Sequence, residues 1–215
     1  MALLEARGLT VSYGGVHAND DIDLECDPGE VVGLIGPNGA GKTTFIDAIT
    51  GFTPIADGTV TFDGRDVGRA SPSARSRLGL ARTFQSLELF DDLSVRDNLL
   101  IAAERPAWYS IFGDVVWPSR RRREANERVD WAIDTMDLRA VLDVMPSRLS
   151  HGQRKLVSMA RAFAARPKLV LLDEPAAGLD TGESEALGAL LRSVLDEGIS
   201  LLLIDHDMGL VLGVC

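Results

Sequence analysis

Cysteine is scarce in this chain, an excess of basic charge and long apolar runs are missing from it, and each lack removes a class of protein. Only two cysteines occur, Cys26 and Cys215, with no CxxC pair and no metal-ligand spacing. That excludes a disulfide framework and a zinc site, and it fits two free thiols in a reducing cytosol. Acidic residues outnumber basic ones, 32 to 22, for a formal net charge of -10. A general nucleic-acid binder needs clustered Lys and Arg to neutralise phosphates, so no nucleic-acid partner is expected. Apolar runs such as LVLL and LLLI are too short to span a bilayer. Glu5 and Arg7 interrupt the stretch where a signal peptide would need a continuous apolar segment. The expectation is a soluble chain that meets a membrane only through a partner. Internal repeats and low-complexity segments are also absent.

What is present suits one α/β domain. The 215 residues, 46 % of them hydrophobic, are enough for a substantial core. Residues 3–35 read as short β segments, and GTVTFDGRDV alternates Val60 and Phe62 with polar neighbours before a turn at Asp63-Gly64. This predicts an antiparallel β region. VVGLI, KLVLLD and SLLLID are continuously apolar, as strands buried on both faces of a parallel sheet are. Helical patterns between them give an α/β sandwich. The middle third differs: SVRDNLLIAAE and RRREANERVDWAIDTMDLRAVLDV carry helical periodicity around the aromatic stretch PAWYSIFGDVVWPS. Residues 87–148 therefore read as a helical subdomain inserted between 1–86 and 149–215. Trp108, Tyr109, Phe112 and Trp117 fit either a docking surface or a small local core. The run Arg120 to Arg123 fits a lipid-headgroup contact or a solvated helix start.

Two stretches carry the chemistry. The run Gly36-Pro37-Asn38-Gly39-Ala40-Gly41-Lys42-Thr43, followed by Thr44, matches GxxxxGK[ST] between a predicted strand and a predicted helix. Its glycines allow backbone N–H groups to converge on phosphate oxygens at a helix N-terminus, where the dipole favours anions. Lys42 is expected to reach the β- and γ-phosphates, and the Thr43 hydroxyl to face Mg2+. LVLLDEP supplies the acidic element: Asp173 ends a buried run and suits Mg2+, and the adjacent Glu174 suits proton abstraction from an attacking water. His206 follows a third apolar run, where strand ends of a parallel sheet converge, and is expected to contact the γ-phosphate. His17 has no such context.

A second helix start stands at LSHGQRKLVSMARAFAARP, with apolar positions at Leu156, Val157, Ala160, Phe163 and Ala164. Ser150, Gly152 and this helix N-terminus suit another anion, while Ser150 alone suits an ordinary N-cap. Asp180, three residues before Glu183, suits a capping box.

Taken in order, these motifs resemble the ATP-binding subunits of ABC transporters over essentially the whole length. The series runs from Walker A at 36–43 through a Q-loop glutamine, Gln85, in RTFQ and the signature at 149–153. It continues through Walker B at 169–174 and the D-loop AGLD at 177–180 to the switch histidine, His206. The resemblance implies ATP and Mg2+ as ligands. It places Tyr13 against adenine, and it places Ser150, Gly152, Gln153 and Asp180 at the nucleotide of a second cassette paired head to tail. It adds Gln85 to Thr43 and Asp173 at the metal, and counts Glu174, His206, Lys42 and Gln85 as catalytic. The implied partners are a second cassette, identical or different, the transmembrane permease subunits and, indirectly, an extracytoplasmic solute-binding protein. The implied location is peripheral, on the cytoplasmic face of the membrane. The signature reads LSHGQ, with His151 in place of a glycine, and leaves Ser150, Gly152 and Gln153 intact. Phrase similarity within the family is greatest to the group that imports branched-chain amino acids and urea. A non-transport cassette acting on nucleic acid or ribosomes is the alternative; the basic linkers and coiled coils typical of those are absent. Similar chains continue with further elements beyond the position of Cys215, so a shortened chain is expected, at a cost in stability or dimerisation.

Overall fold

A computed structural model describes residues 1–83, 89–104, 118–205 and 208–215. Two compact units emerge: Met1–Gln85 with Pro167–Cys215, and Ser86–Arg166.

The first unit holds two sheets. β1 (Leu4–Tyr13), β2 (Val16–Cys26), β4 (Asp57–Phe62) and β5 (Arg65–Asp66) form an antiparallel sheet ordered β2-β1-β4-β5. β1 and β2 run for 10 and 11 residues, longer than the short segments expected. The alternation of buried Leu4 and Ala6 shifts phase to Leu9 and Val11 because the register slips between Ala6 and Leu9. Gly8, at φ 58°, sits in that slip and its N–H donates to Asp23 Oδ1 at 2.7 Å. The Asp63-Gly64 turn joins β4 to β5 with both residues at positive φ, as a tight hairpin requires.

The second sheet is parallel, ordered β3-β8-β7-β6 from Val31–Leu34, Ser200–Ile204, Leu169–Asp173 and Leu80–Arg82. β7 and β8 are buried at every residue, as their apolar runs predict. β3 departs from that expectation. Among the described residues it pairs only with β8, and Val31, Val32 and Leu34 are half-buried. An edge strand needs fewer covering side chains than its apolar composition suggests, so the run alone does not distinguish edge from centre. Helix α1 (Lys42–Thr50) buries Phe45, Ile46, Ala48 and Ile49 in a core that takes residues from both sheets. Its C-terminal end is closed by a cation. Arg75, on α2 (Pro72–Leu78), is 2 % exposed and donates to Ala48 O at 2.7 Å, to Ile49 O, to Ala70 O at 3.0 Å and to Gly68 O at 3.2 Å. The last carbonyls of a helix carry partial negative charge, so this guanidinium satisfies both the orphan acceptors and the dipole. Burial pulls the Arg75 pKa down from its ordinary value.

Helices α6 (Thr181–Asp196) and α7 (Met208–Val214) complete this unit and pack against each other. Asp180 caps α6 in the expected capping box: Glu183 N donates to Asp180 Oδ1 at 2.8 Å and Asp180 N to Glu183 Oε2 at 3.1 Å.

The second unit is helical: α3 (Val95–Ala103), α4 (Pro118–Thr135) and α5 (His151–Ala164) pack on one another. Sequence periodicity extends the α4 pattern to Val144, but the helix stops at Thr135. Asp137 turns at φ 50° and a 3-10 turn follows at Arg139–Val141, which lets Met136 and Leu138 both bury. Asn98, fully buried on α3, ties down the preceding loop: Phe90 N donates to its Oδ1 at 2.9 Å, and its Nδ2 donates to Phe90 O and Ser94 O, each at 3.0 Å. The expected boundary at residue 148 leaves α5 outside the helical segment; here α5 groups with α3 and α4 through buried Val157, Ala160, Phe163 and Ala164. Trp108, Tyr109, Phe112 and Trp117 lie outside the described residues. In the basic run, Arg122 and Arg123 are exposed, and Arg123 Nε pairs with Glu127 Oε1 at 3.0 Å.

Candidate functional site

β3 hands the chain to the glycine loop, and the loop hands it to α1. Gly41 is the N-cap of α1 at φ 83°, and no side chain caps the helix there. A Cβ at Gly41 would stand 2.3 Å from Ala18 O, so both the backbone angle and the space demand glycine. Asn19, on β2, holds the turn from outside by donating Nδ2–H to Gly41 O at 3.2 Å. Gly39, at φ 82°, has open space where its Cβ would be. Within the loop Ala40 N donates to Pro37 O at 3.2 Å, and the Lys42 ammonium folds back onto Gly36 O at 2.6 Å and Pro37 O at 2.9 Å. A cation arched over a glycine loop, beside a helix start that lacks a side-chain acceptor, fits an anionic ligand. Thr43 is exposed and Thr44 half-buried in the first turn of α1.

Asp173 ends β7 opposite Ile204 of β8, and is 5 % exposed. Burial raises its pKa; the Arg82 guanidinium, 3.2 Å away from Oδ2, opposes that shift. Arg82 ends β6 and also pairs with Asp47 Oδ1 on α1. A buried carboxylate held by one cation, with a threonine one helical turn before Asp47, has the oxygen chemistry a Mg2+ ion takes. Glu174 comes next, half-buried and at φ 50°, with its N–H donated to Ile204 O at 2.8 Å. The turn after it is fastened to β8 by Asp205, 1 % exposed, whose Oδ2 accepts from Ala176 N at 2.9 Å.

Tyr13 ends β1 beside the Gly14-Gly15 turn. It is 54 % exposed, its ring available to a flat ligand while its hydroxyl meets Thr53 Oγ1 at 3.2 Å. In the helical unit Ser150 caps α5 with Gln153: Gln153 N donates to Ser150 Oγ at 3.2 Å and Ser150 N to Gln153 Oε1 at 3.0 Å. Gly152 lies between them in the first turn. Gln85 and His206 fall outside the described residues.

The structure thus places the loop Gly36–Thr44 between β3 and α1, and Asp173 and Glu174 at the end of β7, in one unit, with Arg82 bridging Asp47 of α1 to Asp173. Arg82, Asp47, Arg75 and Asp205 are the residues that sequence reasoning missed. A charged residue closing a short strand, as Arg82 does, and a carboxylate four residues after Thr43 were the available signals.

A strand, a glycine loop and a helix, with an acidic strand end in the same parallel sheet, define a P-loop nucleotide-binding cassette. The ABC transporter family profile matches residues 19–177. The branched-chain amino-acid transport ATP-binding protein BraF of Pseudomonas aeruginosa is 34 % identical over 99 % of this chain and 85 % of its own length. The lipopolysaccharide export ATP-binding protein LptB of Escherichia coli is 35 % identical over 100 % and 85 %. A solved ATP-binding cassette of an ABC transporter in its ADP conformation superposes with a TM-score of 0.85 at 30 % identity, covering 100 % of this chain and 85 % of that one. The chain belongs to the ABC transporter ATP-binding family, and is an ATPase that binds nucleotide.

Proposed function

We propose that this ATPase powers solute import through a membrane permease, with branched-chain amino acids or a related small solute as cargo. The observation that carries the reading is a glycine-loop helix without a side-chain cap together with Asp173 ending β7 and Glu174 just after it, in a chain similar to BraF. The loop backbone and Lys42 hold the phosphates, and Tyr13 stacks on adenine. Thr43, Asp173 and Gln85 hold Mg2+, which neutralises phosphate charge when bound. Glu174 accepts the proton of the attacking water, and His206 contacts the γ-phosphate.

Ser150, Gly152, Gln153 and Asp180 face the nucleotide of a second cassette, so that ATP completes the interface. Closure of the pair is then a population shift, driven by the higher affinity of the closed state for ATP. Residues 87–148 and Gln85 pass the change to permease subunits, which keep the cassette at the cytoplasmic face of the membrane and which an extracytoplasmic solute-binding protein loads. The similarity to LptB supports a second reading, export of a lipid-linked glycan by the same ATPase chemistry.

Uptake of labelled leucine, valine and urea separates the two, in cells deleted for the gene and restored with the parental form or Glu174→Gln. Uptake that returns with the parental form alone is the expected result. Glu174→Gln is expected to retain ATP and to lose hydrolysis by roughly a hundredfold or more. Equal uptake of all three solutes in deleted and restored cells removes leucine, valine and urea as cargo and returns weight to other solutes and to the export reading.

A further inference from the structure

We propose that Arg82 is a positioning residue for the metal site, a strut that sets the distance between α1 and the end of β7. The inference rests on the reading of Thr43 and Asp173 as metal ligands. The Arg82 side chain is 8 % exposed, yet it pairs with two carboxylates on two different elements: Asp47 on α1 and Asp173 on β7. The side chain of Asp173 is 3 % exposed and that of Asp47 is 30 % exposed.

Asp47 stands four residues after Thr43, so the two share one face of α1 a turn apart. A strut that grips Asp47 therefore also fixes the turn that presents Thr43. At its other end the strut holds Oδ2 of Asp173, and with it the rotamer in which the carboxylate meets a cation. Its own root is rigid: Arg82 is in register with Leu171 on β7, and the next residue, Thr83, donates its N–H to Leu171 O at 2.9 Å.

Chemistry selects arginine for this place. A guanidinium is planar, stays charged when buried and carries several donors in a fixed fork, so one group serves two carboxylates in different directions. An ammonium is a single point that cannot hold both with the same geometry. Two carboxylates and one guanidinium leave one negative charge in excess, so the strut orients Asp173 without cancelling the attraction for a divalent cation. Carboxylates that bind metals are commonly oriented by such outer hydrogen bonds, and losing them weakens metal binding on the order of 10- to 100-fold.

The test uses Mn2+ as a spectroscopic stand-in for Mg2+, titrated into the full chain with a non-hydrolysable ATP analogue and followed by electron paramagnetic resonance. Analogue binding is measured in parallel in EDTA, and folding by circular dichroism. Arg82→Gln and Asp47→Asn are each expected to weaken Mn2+ binding about tenfold, with EDTA binding of the analogue within about twofold of the parent. Arg82→Lys is expected to recover only part of the loss. Parental or tighter Mn2+ binding in Arg82→Gln and Asp47→Asn overturns the proposal if Asp173→Asn still weakens it. Parental binding in Asp173→Asn instead removes the metal reading, and this inference with it. If Arg82→Gln fails to fold, Asp47→Asn decides alone, since it removes one end of the strut from a partly exposed site.

Discussion

Two helix starts in this molecule look alike in sequence and are built in opposite ways. α5 begins with Ser150 and Gln153 closing on each other, so the Gln153 N–H of its first turn has a side-chain acceptor without any ligand. α1 begins with Gly41, which has no side chain to offer, and its neighbouring lysine is turned onto loop carbonyls. The first-turn N–H groups of any helix lack partners within the helix. At α5 the Ser150 hydroxyl supplies one acceptor and Gln153 closes the box onto the Ser150 N–H; at α1 Gly41 supplies no side-chain acceptor, which suits an anion. On the proposed function, the open start of α1 is where this chain itself binds nucleotide, and the capped start of α5 is a surface presented to a second cassette.

The contrast breaks most visibly at Lys42. Lys42→Ala is expected to lower the affinity for ATP by roughly a hundredfold, the worth of charge-assisted bonds to phosphate. The unliganded melting temperature is expected to move little, because among the described residues the lysine serves only the loop carbonyls of Gly36 and Pro37. Titration with a fluorescent ATP analogue and a thermal melt with and without ATP check both halves, since a ligand that binds the native state raises its melting temperature. A large drop in the unliganded melt would show that the loop needs its lysine even when empty.

Gly41→Ala attacks the same start through the backbone. The left-handed angle disfavours alanine by about 1–2 kcal/mol, and the contact with Ala18 O adds to this. Urea unfolding is expected to show a loss of about 2–3 kcal/mol, together with weaker ATP binding. The smallest effect belongs to the other helix. Ser150→Ala is expected to lower stability by about 1 kcal/mol and to leave ATP affinity of the isolated chain unchanged, while slowing hydrolysis in the assembled transporter. A changed affinity in the isolated chain would collapse the distinction between the two starts.

Much of this was legible beforehand. The glycine loop, the run ending in Asp173 and the Asp180 capping box are local patterns, and local patterns survive into structure because adjacent residues enforce them. β7 and β8 were readable for the same reason. What escaped depends on chain folding: β3 is apolar like its neighbours, and only sheet order makes it an edge. Arg82 meets Asp47 across 35 positions and Asp173 across 91, and no spacing rule connects them. Arg75 is likewise 26 to 27 residues from the α1 carbonyls it satisfies. The early end of α4 reflects burial of Met136 and Leu138, which periodicity alone does not weigh.

The left-handed backbone at Glu174 bears on how such a protein changes over generations. Asparagine, aspartate and glycine accept this angle comparatively well, whereas valine and isoleucine resist it strongly. On the proposed role of Glu174 as the base, a lineage that gives up hydrolysis at this position therefore has a narrow choice of replacements if it is to keep its fold. The main chain, and not the carboxylate alone, decides which inactive descendants can exist.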